Sequence, residues 1–253
     1  MRDPAEHCFL STAQILPMQR FLKAQFSRRT ALIVLRSTAT ALLVGCLPRR
    51  MSSAQSSPPA CTVRPQQTEG PYFVDEKLNR SDIRSDSKSS VVKAGVPLQL
   101  KLNIVQVSDR SCTPISNAIV DVWHCDAEGI YSDVRDRRSD TTGQNFLRGY
   151  QTTDAAGNVE FLTIYPGWYQ GRTVHIHFKV RTPTGAEFTS QLYFDDALTD
   201  QVHAGLPYAS RGQRSIKNAE DGIFQEGGNQ LLLSPTKNTQ GYAATFEIGL
   251  QTA

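Results

Sequence analysis

The stretch Pro97-Leu98-Gln99-Leu100-Lys101-Leu102-Asn103-Ile104 alternates apolar and polar side chains from Leu98 to the end. Successive side chains of an extended backbone point to opposite sides, so Leu98, Leu100, Leu102 and Ile104 share one face, and that face must be covered. A helix would scatter the same four residues around its axis, so a half-buried strand is the reading that fits. Ala118 to His124 is a second run, rich in β-branched residues, and the turn DAAGN at 154–158 leads into a third over 159–164. Further strands are predicted at 173–181, 187–194 and 243–249. No long stretch keeps an apolar period of 3.6 residues. Short strands separated by Gly, Pro, Asn and Asp turns predict an all-β chain, an antiparallel β-sandwich. Residues 61–90 and 195–240 are polar, Gly-containing and too long for tight turns; they are expected to drape over the sandwich as long loops that cover its site.

Charge divides the chain in two. The 253 residues carry a formal net charge of +3, yet residues 1–60 hold 8 Lys/Arg against 2 Asp/Glu, leaving 19 against 22 on residues 61–253. Nucleic-acid binding would need the basic charge on the folded part, which is mildly acidic, so that class is set aside. Ser27-Arg28-Arg29 stands before an apolar run from Ala31 to Gly45, the order of an export signal, and its paired arginines resemble a twin-arginine signal. Arg36 interrupts the run, which is shorter than the roughly 20 apolar residues of a membrane span. Leu43-Val44-Gly45-Cys46 matches a lipobox, which would make Cys46 the acylated mature N-terminus; cleavage after Ala54 is the competing expectation. SSAQSSPPA at 52–60 then reads as a Ser/Pro linker. Residues 1–60 are accordingly expected to be export signal and linker, and residues 61–253 the folded domain of an exported protein, periplasmic, lipid-anchored or extracellular.

Cys61, Cys112 and Cys125 lie beyond the leader, and export permits two of them to pair. A strand over 118–124 would hold Cys112 and Cys125 near opposite ends, beyond the roughly 7 Å Cα limit of a disulfide. Cys61 is then the better partner for either, with the choice between them open. No CxxC pair points to zinc.

The segment Tyr169-Gln170-Gly171-Arg172-Thr173-Val174-His175-Ile176-His177-Phe178 carries the chemistry. On a strand His175 and His177 share a face, about 7 Å apart at Cα, and two such imidazoles can converge on one metal ion. Pro166-Gly167-Trp168 precedes Tyr169 as a turn that could swing its phenol back towards the strand end, and Tyr131 follows the strand 118–124 through a short loop. These segments, with TEGPYF (68–73), VDVWHCDAEGIYSD (120–133), the rest of 146–180 and TSQLYF (189–194), resemble the intradiol ring-cleavage dioxygenases in order and approximate spacing over most of residues 66–250.

The resemblance implies that Tyr131, Tyr169, His175 and His177 are the four protein ligands of a non-haem iron(III), Fe(3+). It implies that Arg172 lies beside the substrate ring with Gln191 as its polar neighbour, and that Tyr169, Arg172 and Gln191 act in catalysis. Two tyrosinates, as hard anionic donors, favour Fe(III) over Fe(II). The implied reaction cleaves a catechol-type aromatic diol with O2 between its two hydroxyl-bearing carbons, giving a cis,cis-muconate. Other residues take structural readings: His124 as a hydrogen-bonded histidine at a strand end, His203 as a solvated loop residue, Tyr150, Tyr165 and Tyr193 as core or rim. Arg148 is placed first in a structural role, and Tyr72 as an aid in closing the site. Only two residues separate Tyr169 from Arg172, so a more open cavity is expected than in the better-known members. An exported non-catalytic sandwich, transthyretin-like or carbohydrate-binding, is the alternative reading. The sequence specifies neither the particular catechol nor the oligomeric state.

Overall fold

A computed structural model describes residues 61–108 and 111–251. The export signal, the lipobox at Cys46 and the linker lie outside the described residues. Among the described residues nine strands form two sheets. The first is built on β1 (Pro97–Ser108). One of its edges pairs antiparallel with β5 (Asn158–Ile164) and then β2 (Ser111–Pro114), and the other pairs with β9 (Tyr242–Leu250), which β8 (Thr236–Lys237) extends. The β1–β9 pair is parallel over its whole length, from Leu98 opposite Tyr242 to Gln106 opposite Leu250. The second sheet is antiparallel throughout, in the order β4 (Arg148–Thr152), β3 (Ile119–Trp123), β6 (His175–Arg181), β7 (Glu187–Tyr193).

The core lies between the sheets. Leu98, Leu100, Leu102 and Ile104 are wholly buried, as their alternation demands, in one cluster with Val120, Val122, Ile176, Phe178, Val180 and Leu192 of the second sheet. Burial of this kind stabilises by about 25 cal/mol per Å² of apolar surface removed from water. Since the even-numbered residues of β6 fill the core, the odd-numbered His175 and His177 stand on the outer face of the second sheet. Their near-complete burial, at 2% exposure each, is therefore supplied by covering segments and not by the sandwich. Residues 61–79 form part of that cover. Gln67 N–H donates to the Thr189 carbonyl (3.0 Å), Glu69 pairs with Lys179, and Arg181 reaches Asp75 (3.4 Å).

Several elements depart from the sequence reading. β4 was not predicted, because RGYQT shows no clear alternation. β6 begins at His175, since Arg172 and Thr173 are held by side-chain partners outside the sheet. Residues 195–240 contain α1 (Asp196–His203), α2 (Gly222–Gln225) and three 3-10 turns, each too short to register an apolar period. Cys61 pairs with Cys112, and Cys125 is a free, buried thiol.

Candidate metal centre

The antiparallel register of the second sheet places Arg148, Trp123, His177 and Gln191 side by side across four strands, with His175 opposite Tyr193. Trp123 stacks on the His177 ring at 5.0 Å and 10° and fixes its plane. Gly70, at φ +72°, brings the covering segment against the same ring. A Cβ there would just touch His177 Cε1 at 3.4 Å, so it is the left-handed conformation that favours glycine.

The Nε2 atoms of His175 and His177 are 3.0 Å apart, and His175 Nε2 lies 3.2 Å from Tyr169 Oη and 3.5 Å from Tyr131 Oη. His175 Nδ1–H donates to the Thr173 carbonyl (2.7 Å), which leaves the Nε2 lone pair directed at the cluster. Donors at about 2.1 Å from a shared ion and at right angles to one another would be about 3.0 Å apart, so the imidazole spacing suits two neighbouring ligands. Among the described residues no group of three or more His, Cys, Asp or Glu is placed to hold a metal. Phenol oxygens, not carboxylates, complete this donor set.

Burial holds all four groups neutral. It lowers His175 to about 3, with the Arg172 charge adding to the effect, and drives His177 far down with help from His175. It raises Tyr131 and Tyr169 well above the ordinary phenol value. Neutral imidazoles are the ligating form, and phenols this reluctant to ionise become tyrosinates when a strong cation stabilises the anion. The residues present therefore fit a hard, highly charged ion.

Tyr169 reaches the cluster from a turn held at every residue before it. Gly167 N–H donates to the Asp126 carbonyl (3.1 Å), Arg211 Nη1 to the Trp168 carbonyl, and His203 Nε2 to the Pro166 carbonyl (3.0 Å). This corrects the solvated reading of His203. Only 8% exposed, it lies on the inward side of α1 and stacks on Tyr208 at 4.8 Å. His124 is structural as expected: Nδ1 contacts the Cys125 carbonyl at 2.8 Å and Nε2 contacts Thr163 Oγ1 at 2.6 Å.

Arg172 donates from Nε to Asp221 Oδ2 (2.8 Å) and from Nη2 to Gln191 Oε1 (2.6 Å), while Gln191 Nε2 donates to the Thr68 carbonyl (2.9 Å). Asp221 is almost fully buried; burial alone would raise its carboxyl, but the Thr173 N–H and the Arg172 guanidinium hold it below the usual carboxylate value. Arg148 has the structural environment expected of it. It donates to both Ser132 oxygens and, at 3.2 Å, to the Tyr72 carbonyl. Tyr72 stacks on Tyr131 at 4.6 Å. Together with Gly129, Asp136, Arg138 and Gln170, the rings of Tyr72, Tyr131 and Tyr169 line a cavity of about 300 Å³ that opens to solvent.

Sequence reading did not single out Asp221, Thr173, Thr68 or Gln67. These residues act mainly through hydrogen bonds to partners far away in sequence, which leave no periodic trace.

The sequence model of a family described as Dioxygenase matches residues 68–213. The chain is 33% identical over 169 residues to the protocatechuate 3,4-dioxygenase beta chain of Burkholderia cepacia, covering 60% of this chain and 71% of that one. It is 27% identical over 152 residues to a chlorocatechol 1,2-dioxygenase of Pseudomonas putida, of which it covers about half, 52%. Among solved structures, an intradiol ring-cleavage dioxygenase from Tetranychus urticae superposes with a TM-score of 0.68 at 30% identity, over 76% of this chain and 95% of that one. The dioxygenase domain of a carbohydrate-binding fusion from Streptomyces sp. SirexAA-E gives 0.54 at 29%, over 76% and 100%. A non-catalytic sandwich is thereby set aside. The family model and the relatives agree, and the chain belongs to the intradiol ring-cleavage dioxygenases, a family of oxidoreductases.

Proposed function

We propose that this protein is a ferric-iron dioxygenase that opens catechol-type rings between the two hydroxyl-bearing carbons. Tyr131, Tyr169, His175 and His177 would hold the ion. The observation that carries this reading is that His177 Nε2, Tyr169 Oη and Tyr131 Oη all lie within 3.0–3.5 Å of His175 Nε2. When bound, Fe(III) would act as a Lewis acid that draws electron density from a chelated catecholate and readies its ring for O2.

The chain's own residues then have distinct tasks. Burial favours the neutral phenol of Tyr169, which suits its Oη to take and keep one catechol proton. Arg172, anchored at Nε and Nη2, presents a fixed cation to negative charge developing on the substrate. Tyr72 stacks on Tyr131 at the wall of the open cavity, where a substrate ring could enter. Both oxygen atoms of O2 enter a muconate-type product, so no external reductant is needed. The catechols named for the relatives above are the first substrates to test.

The expected result is a coloured protein with one iron per chain, a visible tyrosinate-to-iron charge-transfer band, and oxygen uptake matched by muconate. A colourless protein with full iron would overturn the ligand set, and opening beside the diol would overturn the reaction. We infer further that residues 1–60 direct export, with Cys46 as a lipid anchor, and that residues 61–253 form the catalytic domain. Ser27-Arg28-Arg29 before the apolar run supports this. Mass analysis of the mature N-terminus from cell fractions tests it.

A further inference from the structure

Asp221 lies beyond the residues that the family model matches, 68–213, in a segment that the sequence presents as a loop. It is 1% exposed, and its two oxygens accept four hydrogen bonds. Oδ1 accepts the N–H groups of Ile223 (2.8 Å) and Phe224 (3.1 Å) at the start of α2. Oδ2 accepts Arg172 Nε–H (2.8 Å) and Thr173 N–H (2.7 Å). Arg172 meets Gln191 through Nη2, which leaves Nη1 as its uncommitted nitrogen among the described contacts. A planar guanidinium gripped at two nitrogens has its plane and its free edge fixed. On the other side, the Thr173 carbonyl accepts His175 Nδ1–H, and Thr173 Oγ1 donates to Asn218 Oδ1 (2.7 Å).

The segment is also tied to the cover. Gln67 Nε2 donates to the Ile223 carbonyl (2.8 Å), and Gln67 Oε1 accepts Tyr193 O–H (2.7 Å). Arg172 thus sits between two anchors, Asp221 on a loop and Gln191 on β7, and only Asp221 carries charge. The structure assigns Asp221 as the positioning residue for Arg172: it holds the guanidinium in the orientation that ring cleavage requires without touching substrate or metal. This rests on the role proposed above for Arg172.

A double-mutant cycle with Asp221→Asn and Arg172→Ala tests it. Asparagine keeps the shape and reaches the same neighbours, but it loses the charge and turns an amide towards one of the donor pairs. Asp221→Asn is expected to lower kcat about tenfold or more, with KM within about threefold. Iron content should stay at the wild-type level. In the Arg172→Ala background the same change is expected to cost no more than about twofold, because the interaction it breaks is already gone. A second readout needs neither iron nor turnover: in metal-free protein the Arg172 Nε–H should exchange slowly with solvent, and Asp221→Asn should make it fast.

Equal losses in both backgrounds would overturn the assignment and leave Asp221 a helix cap, as would iron loss in proportion to the fall in kcat. Full turnover in Arg172→Ala would overturn the reading of Arg172 itself, and the assignment with it. Should Asp221→Asn not fold, Asp221→Glu keeps the carboxylate but lengthens its arm. The same non-additivity is expected in that cycle, and its absence would refute the assignment.

Discussion

Tyr169 and His175 place donor atoms 3.2 Å apart, but their surroundings differ, and so do the expected consequences of losing each. His175 is locked by its Nδ1–H bond to Thr173 and touches every other donor of the set, so His175→Ala is expected to lose most bound iron, as read by metal analysis after dialysis. Tyr169→Phe leaves three donors and should retain iron while slowing catechol deprotonation, seen as a slower change of the visible band on adding substrate. Outside the donor set, burial lowers His124 from 6.5 to about 4. The unfolded chain therefore takes up this proton first as pH falls. The stability His124 supports is complete above about pH 6.5 and is lost towards pH 4, on the order of 3 kcal/mol in total. Urea midpoints between pH 7 and 4.5 should fall more steeply in the wild type than in His124→Gln; parallel declines would refute this. His175 and His177 were legible as a pair because a period of two puts them on one face. Tyr131 and Tyr169 were legible through the resemblance. His203 was misread because the whole of 195–240 reads as a polar loop, while its burial comes from Tyr165 on a distant turn and from Tyr208 just beyond α1.

At the scale of elements, the turn before Tyr169 is the most constrained piece of the site. A Cβ on Gly167 would lie 2.5 Å from the carbonyl oxygens of both Asp126 and Ala127, so the two loops carrying Tyr131 and Tyr169 approach at a distance only glycine permits. Gly167→Ala should push those loops apart and weaken iron binding at least about tenfold, given the ~1 Å tolerance of such sites, while the sandwich keeps its far-UV circular dichroism. β1 was legible from its strict alternation, and β3 from its run of β-branched residues. β4 and β2, at five and four residues, were not, and their positions come from pairing with strands far away in sequence. The parallel course of β9 beside β1 leaves no local signal either, because both partners alternate in the same way whichever direction they run.

At the scale of the whole molecule, the site is assembled outside the sandwich it depends on. The Cys61–Cys112 disulfide ties the start of the covering segment to β2 across 51 residues. Closing a loop of that length restricts the unfolded chain, so Cys112→Ser should cost about 2–4 kcal/mol, measured as a lower denaturation midpoint in oxidising buffer. Because the cover begins at that anchor, the variant should also bind iron less tightly. Which cysteine Cys61 chose was not legible beforehand, since the choice follows from β1 and β2 folding back as a hairpin. One consequence of the parallel β1–β9 pair concerns biosynthesis. The central strand of the first sheet waits for Tyr242–Leu250 before its second edge is satisfied. Until those residues have left the exit tunnel, a nascent chain exposes an unpaired β1 edge, and the sheet closes only once they emerge.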